Sequence, residues 1–238
     1  MKRNRKTKAP ETARKAKPRA TRARGDRAAE TRAKLIDAGL DAFGLVGFEG
    51  ASTREIAKAA GANLAAIVYH FGSKEGLHLA VAEHIAEQIG KRVGPVLAMI
   101  GAPASTASPK AARAALHTVV ETLADVMLGA AEAERWARFI VREQMQPTAA
   151  FDVIYRFLGN AVNNTGRLIS VILDKPADDE TLRVRVFTIM GHVLIFRVAQ
   201  TLVLRKMGWK AIGDSERGLI KRVVLKQIDD ILDAEQRS

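Results

Sequence analysis

The sequence predicts an all-α fold of about nine helices. Apolar residues recur at the three- and four-residue spacing of helices along nearly the whole chain, and no segment shows the two-residue alternation of a strand. Glycine, proline and serine, which cap or end helices, separate these segments. The chain has 238 residues, of which 47% are hydrophobic, so it is long enough to bury a substantial core.

Composition excludes several classes of protein. The chain has no cysteine, which rules out disulfides, thiolate zinc sites and cysteine nucleophiles. No run of 18 apolar residues occurs, so we predict no membrane span. A single Glu75-x-x-His78 falls short of the ligand set of a di-iron bundle, and the spacing shows no Ser-His-Asp arrangement. We therefore predict no catalytic residues, no metal site and no cofactor.

The positive charge is concentrated at the N-terminus. Residues 1–25 hold 11 Lys/Arg and one acidic residue, Glu11, whereas the rest of the chain holds 27 basic and 25 acidic residues. With no large apolar residue after Met1, this segment is predicted to be a disordered basic tail. Counterion release favours a nucleic-acid-binding arm over a solubilising arm or a cloning remnant. No secretion signal is recognisable, so we expect a cytoplasmic protein.

The first four helices are predicted from the spacing of apolar residues and from the residues that cap or end helices. Apolar residues at i, i+4 and i+7 predict a first helix over about residues 27–46, which glycines end. Ser52-Thr53-Arg54-Glu55 is typical of a capping box and begins a second helix that stops at Gly61. The third helix is predicted over about residues 64–71. Ser73 caps the fourth, predicted over about residues 74–93 with its end near Gly94-Pro95.

Residues 101–109 have the composition of a loop, and five further helices are predicted after them. Their approximate ranges are 110–129, 131–146, 149–173, 178–206 and 215–235. The boundary between an N-terminal and a C-terminal part is predicted near residue 90.

The second and third helices are short and joined by the tight turn Gly61-Ala62-Asn63, the sequence form of a helix-turn-helix over about residues 53–72. Small side chains at Ala65 and Ala66 would let the third helix approach base edges, while Tyr69 and His70 would reach phosphates or bases. On geometry alone, an αα-corner that never touches DNA remains the alternative.

The motifs of residues 31–77 resemble the N-terminal domain of TetR-family transcriptional regulators. Residues 135–158, RWARFIVREQMQPTAAFDVIYRFL, resemble the subgroup with a CerR/CecR-type C-terminal domain. The matching N-terminal elements are the first-helix run, the Gly-Phe turn, Thr53-Arg54-Glu55-Ile56-Ala57, Ala60-Gly61, His70-Phe71 and Ser73-Lys74-Glu75-Gly76-Leu77.

This resemblance implies a homodimer. Each subunit would have a three-helix DNA-binding head at residues 26–90 and a helical bundle at residues 91–238 that binds a small-molecule effector and dimerises. The implied DNA-binding residues are Thr53, Arg54, Asn63, Ala65, Ala66, Tyr69, His70 and Lys74. The chain departs from the family at Val68, where a phosphate-contacting tyrosine is frequent, and at Asn63, where asparagine replaces a serine and caps a helix equally well.

Aromatic residues cluster between residues 136 and 157, which is typical of an apolar cavity with a few polar groups. The alternative for each is an ordinary core position or a solvated charge. Arg142 could pair with an anionic ligand group or be neutralised by Glu143. The candidate ligand-binding residues are Trp136, Phe139, Arg142, Tyr155 and Asn163.

The resemblance, together with the helix-turn-helix pattern, implies a ligand-responsive regulator, a repressor as is usual in the family, that binds a palindromic double-stranded DNA operator as a dimer and is released by a small molecule. The helices at 178–206 and 215–235 are predicted to form the dimer interface. Two alternatives remain: an all-α enzyme, and an architectural DNA-binding protein that uses mainly its basic tail and no ligand.

Overall fold

Ten α-helices and two short helical turns make up the part of the chain that the computed structural model describes, residues 19–129 and 132–237, and this part contains no strand. The predicted all-α class is therefore confirmed, with one helix more than expected. The helices are α1 (Arg19–Gly50), α2 (Thr53–Ala59), α3 (Leu64–Phe71), α4 (Lys74–Gly101), α5 (Pro109–Ala124), α6 (Ala133–Met145), α7 (Ala149–Leu173), α8 (Glu180–Val198), α9 (Gln200–Met207) and α10 (Asp214–Gln236).

Helix α1 starts earlier than predicted. It begins at Arg19, so residues 19–25, which the predicted disordered tail included, are helical. The alanines and arginines of this segment are good helix formers, which explains the extension. The remainder of the predicted tail lies outside the described residues. At its other end α1 is interrupted at Gly47, whose backbone angles are not helical, in agreement with the predicted glycine break.

Helix α4 continues through Pro95 to Gly101, so its predicted end near Gly94-Pro95 was wrong. Proline removes one hydrogen-bond donor from a helix interior but has a helical φ. Beyond it, Ile100 is buried, and Val96 and Leu97 are partly buried against the core. Burial of these apolar side chains offsets the local cost of the proline. As a result α4 is one continuous element from the N-terminal helices into the C-terminal bundle.

The predicted helix over residues 178–206 is divided into α8 and α9, which meet at a 74° bend beside Ala199. The side chain of Arg197 spans the bend, donating from Nη1 to Gln200 Oε1 at 2.7 Å and from Nε to Met127 O at 2.6 Å. Met127 belongs to a π-helical turn, Asp125–Gly129, that follows α5. Nothing in the apolar spacing of this segment distinguishes a bent helix from a straight one.

The N-terminal head consists of α1, α2, α3 and the start of α4, while α5 and α7 pack against the remainder of α4. Helices α6, α8 and α10 complete the bundle through contacts with α5, α7 and one another. Helix α6 packs against α1, so the bundle contacts the head through α6 as well as through α4. Among the described residues, no single helix is long and apolar enough to cross a membrane. Two sharply bent helix pairs, α5 with α6 and α8 with α9, reach that length and composition only in combination.

Candidate nucleic-acid interface and ligand cavity

Helices α2 and α3 form a helix-turn-helix whose caps and turn follow from the sequence. The Ser52 hydroxyl accepts a hydrogen bond from Glu55 N at 3.5 Å. Ile56 and Ala57 are buried on the inner face of α2. The turn passes through Gly61, whose φ of +64° suits glycine and few other residues. These features fix the angle at which the chain enters α3.

Helix α3 presents a mostly apolar outer face. Asn63 caps it, with Oδ1 accepting from Ala66 N at 2.9 Å, and Ile67 packs into the core. On the outside, Val68 is 62% exposed and Tyr69 is 79% exposed. The remaining outward positions include Leu64 and Ala65. An exposed row of this kind on a short helix is what a groove-reading helix needs, because its side chains are free to meet base edges.

The other predicted DNA-contacting residues flank this helix. Arg54 is exposed and Thr53 half-buried on α2, while His70 is half-buried with its ring 4.8 Å from that of Tyr69. Ala66 is partly buried against the core. Asn63 is exposed and serves as the cap. Their roles in DNA binding stay predictions.

The junction from α3 to α4 is tight. A Cβ added at Gly76 would lie 1.9 Å from Phe71 O, so only glycine fits there. Ser73 caps α4, with its hydroxyl accepting from Gly76 N at 3.2 Å. Lys74 Nζ donates to Glu49 O at 3.3 Å and lies 4.6 Å from the ring centre of Phe48. Two of its three ammonium donors remain available for a phosphate.

A cavity of about 420 Å³ lies within the C-terminal bundle, between α4, α5, α6, α7 and α8. Its size and mainly apolar lining match those of small-molecule sites. Its polar side chains are Thr122, Gln144, Thr165 and Arg197. The apolar lining includes Val93, Leu97, Ile100, Leu123, Ile140, Phe157, Met190 and Leu194.

The five predicted ligand-binding residues do not line this cavity. Trp136 and Phe139 are buried on the opposite side of α6, where Trp136 lies under Arg92 and Phe139 against His78. Arg142 donates from Nη2 to Leu45 O of α1 at 2.7 Å. The other two, Tyr155 and Asn163, are exposed on α7. Helices α6 and α7, which carry the predicted residues, do border the cavity, but with faces other than those predicted. The reason for α6 is that it also packs against the head.

Arg197 is the one charged side chain of the cavity lining among the described residues, and it was not among the predicted ligand-binding residues. Its guanidinium borders the cavity beside α8, and burial lowers its pKa from the ordinary value, with Glu134 acting against that shift. The signal was present in the sequence, since Arg197 interrupts the longest apolar region, residues 186–204. The apolar spacing of that region predicts a dimer interface instead, because the surrounding side chains are mostly apolar.

A buried polar cluster joins α4 to α6 on the head-facing side of α6. His78 Nε2 lies 3.3 Å from Glu143 Oε1, and Glu143 Oε2 accepts from the Thr148 hydroxyl at 2.8 Å. Burial, followed by the charge of Lys74, lowers the pKa of His78 to about 4. The imidazole is therefore neutral near pH 7. Three rings lie within 5.0 Å of it, those of Phe43, Phe48 and Phe139.

No group of three or more His, Cys, Asp or Glu side chains within residues 19–129 and 132–237 is arranged to hold a metal ion. The described residues therefore offer no candidate metal centre. The features that remain are the exposed face of α3 and the apolar cavity.

Comparison with known proteins covers both parts of the chain. Residues 35–81 match the family described as bacterial regulatory proteins, tetR family, and residues 112–234 match the HTH-type transcriptional dual regulator CecR, C-terminal domain. The HTH-type transcriptional dual regulator CecR of Shigella flexneri is 35% identical over 214 residues, which cover 88% of this chain and 95% of that protein.

Solved structures of similar fold include two regulators with bound molecules. FadR from Bacillus subtilis in complex with stearoyl-CoA superposes with a TM-score of 0.56 at 16% identity, over 82% of this chain and 96% of that one. The multidrug binding protein EbrR complexed with malachite green gives a TM-score of 0.52 at 21% identity, over 80% of this chain and 96% of that one. At these identities the likeness concerns the fold.

Proposed function

Because the chain belongs to the TetR family of bacterial regulatory proteins and has a C-terminal domain of the CecR type, we propose that it binds a DNA operator and that a small molecule controls this binding. The observation that carries the proposal is the capped helix-turn-helix with an exposed α3. A helix of this kind enters the major groove with its outer face toward the base pairs.

The DNA-contacting set has two parts. Ala65, Tyr69 and His70, with Ala66 beside them, would face the bases, while Asn63 holds the N-terminus of α3 in shape. Thr53, Arg54 and Lys74 would meet phosphates, which fix the position of the protein on the duplex and carry no sequence information. Free amides at the starts of α2 and α4 add to this attraction.

An exposed apolar stripe along α8 and α9 supports the proposal of a homodimer. Val184, Phe187, Gly191, Ile195, Val198 and Leu202 recur at spacings of three and four residues, and all are exposed in the single chain. Leu219 and Val223 of α10 add to the exposed apolar area. Surfaces of this kind mark interfaces. Two heads related by two-fold symmetry would bind a palindrome with half-sites about 34–36 Å apart.

The cavity is the proposed site at which a small molecule binds and controls DNA binding. A ligand that fits one arrangement of the bundle better than another shifts the protein toward that arrangement. Since α4 and α6 both border the cavity and pack against the head, such a shift would change the spacing of the two α3 helices. Stearoyl-CoA and malachite green in the FadR and EbrR structures support a ligand in this fold.

We retain repression by operator occupancy as the simplest outcome, although the CecR relative is named a dual regulator. The division into a head at residues 26–90 and a bundle at residues 91–238 also remains a proposal, since α4 runs through its boundary. A protein that acts on chromosomal DNA works in the cytoplasm, and we propose that location for this chain. We infer no enzymatic activity, and no ligand-binding role is retained for Trp136, Phe139, Tyr155 or Asn163.

Selection of bound duplexes from random DNA tests the proposal. The full chain should enrich a palindrome, and Tyr69→Ala or His70→Ala should weaken binding to it by about 1–3 kcal/mol per lost contact. Tyr155→Ala, which removes an exposed tyrosine from α7, should bind like the unaltered protein. If selection yields no preferred sequence and binding vanishes without the basic tail, the protein is an architectural DNA binder instead.

A further inference from the structure

Arg197 is the only charged residue in the cavity wall within the described part of the chain. The remaining lining is apolar apart from Thr122, Gln144 and Thr165. The Thr165 hydroxyl already donates to Ala161 O at 2.8 Å. Polar chemistry in the cavity is therefore concentrated beside one guanidinium.

This guanidinium is bound only to neutral groups. Its Nε and Nη1 donate to Met127 O and to the Gln200 side-chain amide. Within residues 19–129 and 132–237, no carboxylate lies within ion-pair distance of it, and Nη2 donates to no group there. Arginine stays charged under all ordinary conditions. Placing that charge in an apolar wall is costly unless an anion accompanies it.

Two more arginines lie beside the cavity. A crevice between α1 and α6 shares Ala137, Val141, Met145 and Val198 with the cavity lining, so the two spaces adjoin. Arg138 and Arg142 line this crevice. Glu134 lies 3.7 Å from Arg138, whereas Arg142 donates to the Leu45 carbonyl. Positive charge along an approach raises the local concentration of anions and their rate of entry.

From this geometry we infer that the effector is an anionic amphiphile, with an apolar body that fills the cavity and one carboxylate that binds Arg197. The inference deepens the proposed function by assigning a ligand class to the proposed controlling site. The planar guanidinium matches the two oxygens of a carboxylate, and Nη2 is the donor left for it. A neutral or cationic molecule of the same shape would leave the arginine unpaired.

The test compares molecules that differ only in their head group. Decanoate, decanol and decyltrimethylammonium, together with 2-naphthoate and 2-naphthol, are titrated into the full chain by calorimetry without DNA. At least one carboxylate should bind ten or more times more tightly than its matching alcohol, and the ammonium should bind more weakly still. If no carboxylate binds at millimolar concentration, or if the alcohols bind equally well, the inference is overturned.

Substitutions then locate the anion. Arg197→Met should bring the affinity for the carboxylate down to that for the alcohol, and Arg197→Lys should restore part of the difference. Arg205→Met, which removes an exposed arginine from α9, should change neither. Because Arg197 also spans the α8–α9 bend, the melting temperature of each variant is measured. If Arg197→Met does not fold, the comparison of head groups on Arg197→Lys and on the unaltered chain decides.

Release of DNA is measured separately, on the sequence obtained by selection. A carboxylate that binds through Arg197 and leaves DNA binding unchanged would confirm the anion site but overturn its role as the controlling site. Failure of selection to yield an operator would contradict the proposed function while leaving the calorimetric result intact. The two proposals therefore fail in different experiments.

Discussion

His78 of α4 and Glu143 of α6 meet at 3.3 Å in the interior, where their side chains are only 4% and 2% exposed. Thr148, the N-cap of α7, donates to the same carboxylate from its hydroxyl and its backbone amide. Buried polar groups that are paired in this way favour one packing arrangement over others, since separating them leaves each without a partner. The pair therefore fixes α6 against the helix that continues into the DNA-binding head.

The stability of the protein should fall below pH 6.5 because of His78. Its pKa is about 4 in the folded chain, against an ordinary value of 6.5. Between these values the unfolded chain binds a proton that the folded chain excludes, so stability present above pH 6.5 is lost as the pH falls toward 4. We expect this contribution to be on the order of 1–3 kcal/mol. It is measured as the free energy of unfolding by urea at several pH values.

His78→Gln is the matched variant, because glutamine can still donate to Glu143 but does not titrate. Its stability should be lower than that of the unaltered protein near pH 7, and the difference should shrink toward pH 4. Parallel curves for the two proteins would show that the pKa of His78 is the same in the folded and unfolded chains, and a difference that grows toward pH 4 would show that the folded chain binds the proton more tightly. The proton would then be shared with Glu143 in a buried ion pair.

Base recognition should depend on thymine methyl groups. Within Leu64–Phe71, α3 has no Arg, Lys, Asn or Gln, and Val68 is the most exposed aliphatic side chain. Apolar side chains in the major groove contact the thymine methyl group. Replacing a contacted thymine by deoxyuridine in both half-sites should weaken binding roughly tenfold, at about 0.8 kcal/mol per buried methyl.

Fluorescence anisotropy with synthetic duplexes measures this effect. Val68→Ala should reduce affinity for the thymine operator and remove the penalty for deoxyuridine at one position. Deoxyuridine placed between the half-sites is the control and should have no effect. If every substitution within the half-sites is neutral, the outward face of α3 reads the sequence through Tyr69 and His70 alone.

The local structure of the head was accessible from the sequence because local interactions determine it. The caps at Ser52, Asn63 and Ser73 and the turn at Gly61 all occur where the residue types predict them. Each depends on a side chain that bonds the backbone of its own segment. The helical class follows for the same reason, since apolar spacing is a property of the chain alone.

The ligand cavity was not accessible in the same way. Spacing identifies which residues of α6 share a face, but it does not say which neighbour that face meets. Phe139 packs against His78 at the start of α4 and Trp136 lies under Arg92 farther along α4, whereas the opposite face of α6, with Ile140 and Gln144, borders the cavity. The choice depends on contacts between residues about a hundred positions apart, such as Arg135 with Asp37. Tertiary packing also explains why α4 continues beyond Pro95, near which the sequence predicted its end.

Dimerisation should depend on the apolar stripe of α8 and α9. Phe187→Glu combined with Leu202→Glu places charges at two positions that are 62% and 61% exposed in the single chain. Burying them against a second copy would be prohibitive, so the variant should be monomeric by analytical ultracentrifugation. It should also lose affinity for a full palindrome. Tyr155→Glu changes an equally exposed residue of α7 and should leave the dimer intact.

The basic tail should add affinity for DNA of any sequence. Deleting residues 2–18 removes eight Lys/Arg and one acidic residue, and the structure describes helix only from Arg19 onward. Nonspecific binding should weaken, and its dependence on salt should become less steep, because fewer counterions are released. A tail of equal length with the eight basic residues changed to Gln should behave like the deletion. A changed consensus in selection would instead show that an arginine enters the minor groove.

Helix α6 should carry part of the coupling between ligand and DNA. One face of α6 borders the cavity, and the other holds the head. Arg135 bridges Asp37 and Asp41 of α1 at 2.8 and 2.6 Å, and Arg142 donates to Leu45 O. A ligand that displaces α6 must disturb these contacts or move α1 with them. Removing them should therefore weaken coupling without changing ligand affinity.

Arg135→Gln tests this expectation. The carboxylates of Asp37 and Asp41 are exposed to solvent, so the loss of these ion pairs should cost about 1 kcal/mol of stability. The ratio of DNA affinities without and with ligand, typically 5–150-fold in such systems, should fall toward one. Lys226→Gln, which removes an exposed ion pair within α10, is the control and should leave the ratio unchanged. If Arg135→Gln also leaves it unchanged, α4 transmits the displacement, because α4 too borders the cavity and continues directly into the head.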